Sequence, residues 1–319
     1  MNYRQLGKSG VKVSPICLGT GFREQSDDKI CERIIHTALD LGCNFIDCAN
    51  FYGRGRSETI VGKALKGRRD DVVLTTKVQS PIGEGPNDEG LSRFHIMREI
   101  DRSLKRLQMD HVDVYLQHNA DADTPSDEIL RALDDVVRQG KATYVGSCNH
   151  PPWRLMEHIG TCRSQGLAPM VVSQNPFNLL QRYVVEGDLT DVILKHGLGL
   201  MTFSPLAVGL LTGLFRKGQP PAEGALYRGG KKDVGPVLSD QVESVIRTLV
   251  DIGNELGKTP AQVAIAWILD HEQVSAAIIG PDLPEHAEEV FGGTGWSLDP
   301  ALRARLDEVS SIDQRRSLL

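Results

Sequence analysis

Short apolar runs alternate with longer amphipathic runs along nearly the whole chain of 319 residues. Eight of the short runs are rich in Val, Ile and Leu and have the length of buried β-strands. These predicted strands are residues 15–19, 44–48, 72–78, 112–117, 143–148, 171–174, 198–203 and 276–279. Strands that alternate with helical segments in this way predict a parallel sheet.

The segments between the predicted strands repeat their apolar residues at helical spacing. In residues 127–138 the apolar side chains fall on one face, as expected of a helix that covers a sheet. Gly42 and Gly140 follow two such segments as C-terminal glycines, and Ser57 precedes another as a candidate N-cap. The other clearest predicted helices are residues 28–41, 58–65, 95–107, 153–165 and 260–270.

Eight βα units in succession predict a closed (β/α)8 barrel preceded by an N-terminal β-hairpin. An open doubly wound sheet that binds a dinucleotide would usually carry G-x-G-x-x-G after its first strand, and this sequence has no such motif. Because barrels of this kind form one domain at this length, residues 1–319 are expected to be a single domain. Residues 206–236 are rich in Gly and Pro and follow the seventh predicted strand, so this long loop is a candidate lid over the active face.

The composition restricts the function classes. A net charge of −6 and a pI near 5.9 argue against binding to nucleic acid or to an anionic membrane surface. The polar N-terminus lacks a signal-peptide core, and no uninterrupted apolar stretch is long enough for a membrane span, so a cytoplasmic protein is expected. The six cysteines show neither C-x-x-C pairs nor zinc spacing, which predicts buried free thiols and no metal. No pattern in the sequence distinguishes a subunit interface.

Titratable side chains lie at the carboxyl ends of three adjacent predicted strands, where barrels of this type carry their catalytic residues. The second strand ends near Asp47 and Tyr52, the third near Lys77, and the fourth is followed by His118. Taken singly, Asp47 is as often a capping or salt-bridging residue as a catalyst, whereas Tyr52 and His118 are more often packing and structural residues. A lysine at the end of a buried strand, in contrast, is costly without a partner.

These residues lie in motifs that resemble those of the aldo-keto reductase family. The run NFIDCANFYGRGRSE at residues 44–58 is similar to the family signature around its catalytic Asp and Tyr. TTKV at residues 75–78 resembles the strand that presents the family's Lys, and VDVYLQH at residues 112–118 resembles the strand that carries its His. SPL at residues 204–206 resembles the segment along the cofactor pyrophosphate. The resemblance begins at RQLG, residues 4–7, and extends to the last helix.

The resemblance implies a catalytic tetrad of Asp47, Tyr52, Lys77 and His118 in an NAD(P)(H)-dependent oxidoreductase. Tyr52 would be the general acid/base, and the Lys77 ammonium would lower the pKa of its phenol toward the working range. Asp47 would keep Lys77 charged and oriented, and His118 would donate a hydrogen bond to the substrate carbonyl. The implied reaction interconverts a carbonyl group and an alcohol by hydride transfer.

The expected substrate is a small polar aldehyde, ketone or sugar. Phe22, Phe51 and residues 206–236 are expected to shape its pocket, which has few aromatic residues for a large apolar ligand. A function from another class stays open, namely a cofactor-binding, redox-sensing regulatory subunit with little turnover.

A nicotinamide cofactor site is also implied by the resemblance. Asn149 and Gln174 would bind the carboxamide, and Phe203 would stack on the nicotinamide ring. Phe203 replaces the usual Tyr and Cys148 replaces the usual Ser, and a thiol is only a weak donor. The other implied cofactor residues are Gly19, Thr20, Asp47, Ser204, Pro205, Leu206, Gly280, Asp282, His286 and Glu289.

The adenosine end leaves the choice between NADP(H) and NAD(H) open. Where the family commonly has a cation near the 2′-phosphate, this chain has Asp282. A carboxylate repels a phosphate but accepts a hydrogen bond from a free 2′-hydroxyl, which favours NAD(H), whereas the resemblance favours NADP(H). Arg228, Lys231 and Lys232 are candidates to supply the missing positive charge.

Overall fold

In the computed structural model, which describes residues 1–23, 25–227 and 234–311, eight parallel strands form a closed barrel. An antiparallel hairpin of β1 (Arg4–Gln5) and β2 (Lys12–Val13) precedes it. The barrel strands are β3 (Ile16–Gly19), β4 (Phe45–Asp47), β5 (Val73–Val78), β6 (Val112–Gln117), β7 (Ala142–Cys148), β8 (Met170–Pro176), β9 (Gly199–Phe203) and β10 (Val274–Ile279). They are arranged sequentially, and β10 pairs with both β9 and β3. The predicted (β/α)8 barrel and N-terminal hairpin are confirmed.

Helices cover the outside of the barrel. They are α1 (Asp28–Asp40), α2 (Arg56–Ala64), α3 (Arg93–Leu107), α4 (Ser126–Arg138), α5 (Pro152–Gln165), α6 (Thr190–His196), α7 (Asp240–Leu256), α8 (Pro260–Leu269), α9 (Pro284–Phe291) and α10 (Pro300–Val309). All six helices predicted from the sequence form, with ends within two residues of those expected.

The helix ends confirm one capping prediction and correct another. Gly42 and Gly140 have φ values of 90° and 71°, as expected of glycines that follow a helix. Ser57, however, does not cap α2, because the helix begins earlier, after Gly55 with a φ of 92°. The Ser57 hydroxyl is instead buried and lies 2.8 Å from the Thr20 hydroxyl.

Alternation along the strands divides the apolar side chains into two layers. One cluster fills the barrel interior and includes Phe45, Leu116 and Met201, while a larger one lies between the strands and the helices. The hairpin closes the amino-terminal end of the barrel, since Leu6 and Val13 are fully buried in the interior cluster. All six cysteines are buried free thiols, as predicted.

Residues 204–227 and 234–239 are the described part of the segment between β9 and α7, where a long loop was predicted after the seventh strand. Its described residues include two short 3-10 segments, Ala207–Thr212 and Gly235–Val237. Arg228, Lys231 and Lys232, the candidates for binding a 2′-phosphate, lie outside the described residues. Within the described ranges, no helix is both long enough and apolar enough to cross a membrane.

Candidate active site

A cavity of about 610 Å³ opens at the carboxyl ends of the barrel strands. Asp47, Tyr52 and His118 line one part of it, and residues that follow β10 line another. All the implied cofactor residues except Thr20 and Cys148 contribute to the lining. The cavity therefore collects residues that are far apart in the sequence but lie at successive strand ends.

Strand alternation explains how the tetrad is assembled. Asp47 on β4 pairs with Thr75 on β5, and Lys77 lies two residues further along β5, so Thr75 and Lys77 point to the same face. That face is the barrel interior, because the side chains of both residues reach Asp47. Thr76, between them, points outward to Glu58 on α2.

The Lys77 ammonium is completely buried, and its three N–H groups have three acceptors. Nζ donates to Asp47 Oδ2 at 2.6 Å, to the Cys48 carbonyl at 2.9 Å and to Tyr52 Oη at 3.3 Å. A lysine ammonium can only donate, so the Tyr52 oxygen accepts this bond and its own O–H hydrogen can be given to a ligand. The predicted contact between Tyr52 and Lys77 is present.

Asp47 is held by donors on both carboxylate oxygens. In addition to Lys77, it accepts hydrogen bonds at Oδ1 from Thr75 Oγ1 at 2.6 Å and from Gln174 Nε2 at 3.0 Å. Burial, the largest single effect, would lower the pKa of Lys77, but the charge and hydrogen bond of Asp47 together with contributions from Tyr52 and Cys148 outweigh burial and raise that pKa. The contact with Asp47 thus orients the ammonium and favours its charged form.

The pKa of Tyr52 does not follow the expectation. Burial raises the pKa of the phenol and outweighs the opposite effect of Lys77. The expected net shift toward neutral pH is therefore wrong, although the sign of the contribution from Lys77 is as predicted. In this state of the protein Tyr52 is a protonated phenol throughout the neutral range.

His118 lies beside Tyr52, with the two rings edge to face and their centroids 5.6 Å apart. Burial, assisted by the charge of Lys77, lowers the pKa of His118 to about 3, so the imidazole is neutral near pH 7. Its Nδ1 is 3.3 Å from Ser80 Oγ, and Asn119 Nδ2 donates to Ser80 Oγ at 3.4 Å. Ser80 and Asn119 were missed in the sequence analysis, although both come shortly after strands that carry tetrad residues.

The middle of the cavity has the polarity that a nicotinamide carboxamide requires. Gln174 uses its Nε2 group on Asp47, and Asn149 uses Nδ2 on the carbonyl of His118 and on Asn119 Oδ1. The oxygen atoms of both side chains thus remain as acceptors for the N–H groups of a ligand. Phe203 lines the same cavity and offers an aromatic surface for stacking. These residues fit the nicotinamide group.

Thr20 and Cys148 are buried beneath the cavity wall. The Thr20 hydroxyl donates to the Asp47 carbonyl oxygen at 3.1 Å, and the Thr20 backbone N–H donates to the same oxygen at 2.9 Å. Cys148 is packed in the interior cluster, and burial raises the pKa of its thiol. Gly19, in contrast, lines the cavity. A Cβ at this position would lie 2.8 Å from Ile278 Cγ2, so close packing against β10 requires glycine.

The segment after β9 forms one wall of the cavity. Ser204, Ala207 and Val208 have φ values of 54°, 47° and 54°, in the left-handed region that non-glycine residues seldom occupy. Such backbone is maintained only where the surrounding structure fixes it, and it is frequent at ligand sites. Gly280, Asp282, His286 and Glu289 line the part of the cavity that the sequence analysis assigned to adenosine.

A charged network supports the tetrad from outside the barrel. Glu58 is fully buried and accepts hydrogen bonds from Thr76 Oγ1 at 2.6 Å and from Arg106 Nε at 2.5 Å. Arg106 also contacts Glu99, which is likewise buried. The network fixes Thr76 and hence the strand position next to Lys77. Glu58 was quoted in the sequence motif, but its partner on α3 could not be identified from spacing.

A model of the aldo/keto reductase family matches residues 15–311. A probable voltage-gated potassium channel subunit beta from Arabidopsis thaliana is 39% identical over 295 residues, or 91% of this chain and 90% of the relative. The uncharacterized oxidoreductase YrpG from Bacillus subtilis (strain 168) is 38% identical over 321 aligned positions, covering 97% and 96% of the two chains. A probable voltage-gated potassium channel subunit beta from Oryza sativa subsp. japonica is 39% identical over 286 residues, covering 88% and 87%.

The family match agrees with the order of the sequence motifs and with the closed barrel. In general terms it supports oxidoreductase chemistry that uses a nicotinamide cofactor and acts on a small carbonyl compound. The chain belongs to the aldo/keto reductase family.

Proposed function

We propose that this chain catalyses the NAD(P)(H)-dependent interconversion of a small polar aldehyde, ketone or sugar with the corresponding alcohol. The observation that carries the proposal is the buried Lys77 ammonium, which donates to Tyr52 Oη at 3.3 Å while it is held by Asp47 at 2.6 Å. A buried ion pair next to a phenol at the wall of a cavity is costly for folding, and general acid catalysis provides a reason for it.

Tyr52 supplies the proton in the direction of reduction. When bound, the reduced nicotinamide supplies a hydride to the carbonyl carbon. As negative charge develops on the carbonyl oxygen, this oxygen accepts the Tyr52 hydroxyl proton, which yields the alcohol and leaves a phenolate. Lys77 already donates to the oxygen that becomes negative, so it stabilises the phenolate without rearrangement.

His118 orients the carbonyl as a neutral donor. Because its pKa is lowered to about 3, it carries one ring hydrogen near neutral pH. A tautomer that accepts from Ser80 at Nδ1 donates from Nε2, and this donor adds to the Tyr52 hydroxyl in binding the carbonyl oxygen. Two donors on one oxygen favour the pose in which the carbon is presented to the hydride.

Residues along the cavity would hold the cofactor. Asn149 and Gln174 would bind the carboxamide, Phe203 would stack on the ring, and residues 204–206 would lie along the pyrophosphate. Asp282 favours a free 2′-hydroxyl and the family favours a 2′-phosphate, so NAD(H) and NADP(H) both stay in the proposal. Fluorescence titration of the protein with NADH and with NADPH measures the two dissociation constants directly.

The experiment that tests the proposal is Tyr52→Phe. We expect kcat for aldehyde reduction to fall by at least about 100-fold, because the general acid is removed, while the cofactor dissociation constant stays within about twofold. Tyr144→Phe is the matched control, since the Tyr144 hydroxyl bonds to the Ser9 carbonyl near the hairpin, away from the tetrad. Retention of more than a few per cent of wild-type kcat in Tyr52→Phe would show that Tyr52 is not the acid.

A second candidate is a regulatory subunit that binds a nicotinamide cofactor and reports redox state with little turnover. Two relatives of 39% identity are named as probable voltage-gated potassium channel subunits, which is the observation in its favour. The two functions differ in one measurement. A regulatory subunit would bind cofactor in the titration and yet oxidise it negligibly with every member of a carbonyl panel.

A further inference from the structure

One cation at the mouth of the cavity has no neutralising partner among the described residues. Arg23 is exposed, follows β3 and lines the cavity together with Tyr52 and His118. Its guanidinium makes no hydrogen bond or ion pair within the described ranges. Arg56, by comparison, donates to Asp28 and to the Gln25 carbonyl. A cavity-lining guanidinium with all its donors available is suited to bind an anionic ligand.

The backbone before Arg23 fixes its position. Phe22 has a φ of 43°, in the left-handed region, and its side chain is only 6% exposed. A bulky residue adopts this conformation only where its surroundings demand it, and such positions are concentrated at ligand sites. Burial of the Phe22 ring therefore anchors the loop, and the next residue is held at the edge of the cavity.

Arg23 is the dominant charge in the part of the cavity that Tyr52 and His118 line. Asp47 is paired with Lys77, and His118 is neutral near pH 7. The remaining carboxylates in the described lining, Asp282 and Glu289, come from the segment that follows β10. Burial is the main cause of the lowered His118 pKa, and the positive charge of Arg23 acts in the same direction, so its field reaches the tetrad.

We propose that Arg23 selects carbonyl substrates that also carry an oxyanion, a carboxylate or a phosphate, over neutral substrates of the same size. This inference rests on the proposed reductase function and specifies its substrate class. Phe22 and Phe51 contribute apolar surface to the same cavity lining, while Ser80 and Asn119 add hydrogen-bonding groups for the rest of a small polar molecule.

The test uses pairs of substrates that differ in charge and not in shape. 3-Carboxybenzaldehyde and 4-carboxybenzaldehyde are each compared with the corresponding carbamoylbenzaldehyde. We expect wild type to show a preference of about tenfold in kcat/KM for at least one anionic member, equivalent to about 1.4 kcal/mol. Because Arg23 is exposed, the preference should decrease between 0.02 and 0.5 M salt, since the screening length shortens from about 20 Å to a few ångströms.

Variants assign the preference to the guanidinium. Arg23→Gln should abolish the preference and leave kcat/KM for the neutral members within about twofold, and Arg23→Lys should keep part of it. Arg131→Gln, on the exposed face of α4, is the matched control and should keep the full preference.

The outcomes separate the inference from the function on which it rests. Equal kcat/KM for charged and neutral members in wild type overturns the role of Arg23 and leaves the reductase intact. An Arg23→Gln protein that binds NADH and NADPH more weakly, with its charge preference unchanged, also overturns it by assigning Arg23 to the cofactor phosphates. Cofactor binding without turnover of any member removes the reductase function and this inference together.

Discussion

Replacing Lys77 with methionine removes the ammonium at the centre of the tetrad and keeps a side chain of similar volume. The Lys77 side chain is fully buried, and that of Asp47 is 3% exposed. In the variant, Asp47 keeps the hydrogen bonds from Thr75 and Gln174 but loses its opposite charge. The perturbation therefore leaves a buried carboxylate with only neutral donors.

The magnitude follows from the burial of the pair. Breaking a buried ion pair by removing one partner costs about 3–5 kcal/mol, because the other charge stays uncompensated. Two neutral donors remain on Asp47, so we expect a loss of about 3 kcal/mol in the free energy of unfolding. A stability of about 5–15 kcal/mol, usual for a folded domain, would leave the variant folded but measurably weaker.

Urea unfolding of four proteins tests this reasoning. Lys63→Met on the exposed surface of α2 is the control and should change the unfolding free energy by no more than about 0.5 kcal/mol. The double variant Asp47→Asn/Lys77→Met should be more stable than Lys77→Met alone, because it contains no unpaired buried charge. A loss below about 1 kcal/mol in Lys77→Met, or a double variant less stable than the single one, would refute the argument.

Two further predictions concern stability away from the tetrad. Burial, with smaller contributions from His150 and Arg154, lowers the pKa of His158 to about 3, so below pH 6.5 the unfolded chain binds a proton that the folded chain does not. The free energy of unfolding should therefore fall on acidification. Between pH 7 and pH 5, the His158→Gln variant should lose about 2 kcal/mol less of this free energy than wild type. Equal losses in the two proteins would contradict the prediction. Gly62→Ala should destabilise by about 1–3 kcal/mol in thermal unfolding, because its Cβ would overlap the backbone of Leu107. Gly160→Ala, with open space around its Cβ, should be neutral or stabilising; similar effects of the two changes would argue against the helix contact.

The barrel could be predicted from the sequence because each strand and each helix has a recognisable local pattern of apolar residues. Each strand is a short apolar run, and each helix has one apolar face, so the eight units could be recognised without knowing their contacts. Four of the ten helices in the described part of the chain were not identified, namely α6, α7, α9 and α10. The longest of them is α7, which was missed although Ser239 caps it and Val242, Val245 and Leu249 follow at helical spacing. Its position after a Gly- and Pro-rich loop concealed it, because the loop was taken to continue to residue 236 without regular structure.

The sequence predicted only those parts of the site that lie at the ends of strands. Asp47 and Lys77 lie at the ends of adjacent strands, so their meeting follows from parallel topology. The hydrogen bond from Gln174 to Asp47 joins residues 127 positions apart in the chain, across the barrel interior, and requires the closed ring. Local pattern likewise gave no indication of the balance between burial and charge at Tyr52, because burial is a property of the assembled fold.

The raised pKa of Tyr52 is compatible with its proposed role as the general acid. An acid must be protonated to act, and a phenol with a raised pKa is protonated over the whole neutral range. The alkoxide formed by hydride transfer is a far stronger base than a phenolate, so it takes the proton even from such a phenol. The reverse reaction needs the phenolate as a base, and burial makes that form scarce. The rate of alcohol oxidation should therefore increase as the pH rises toward the pKa of the phenol.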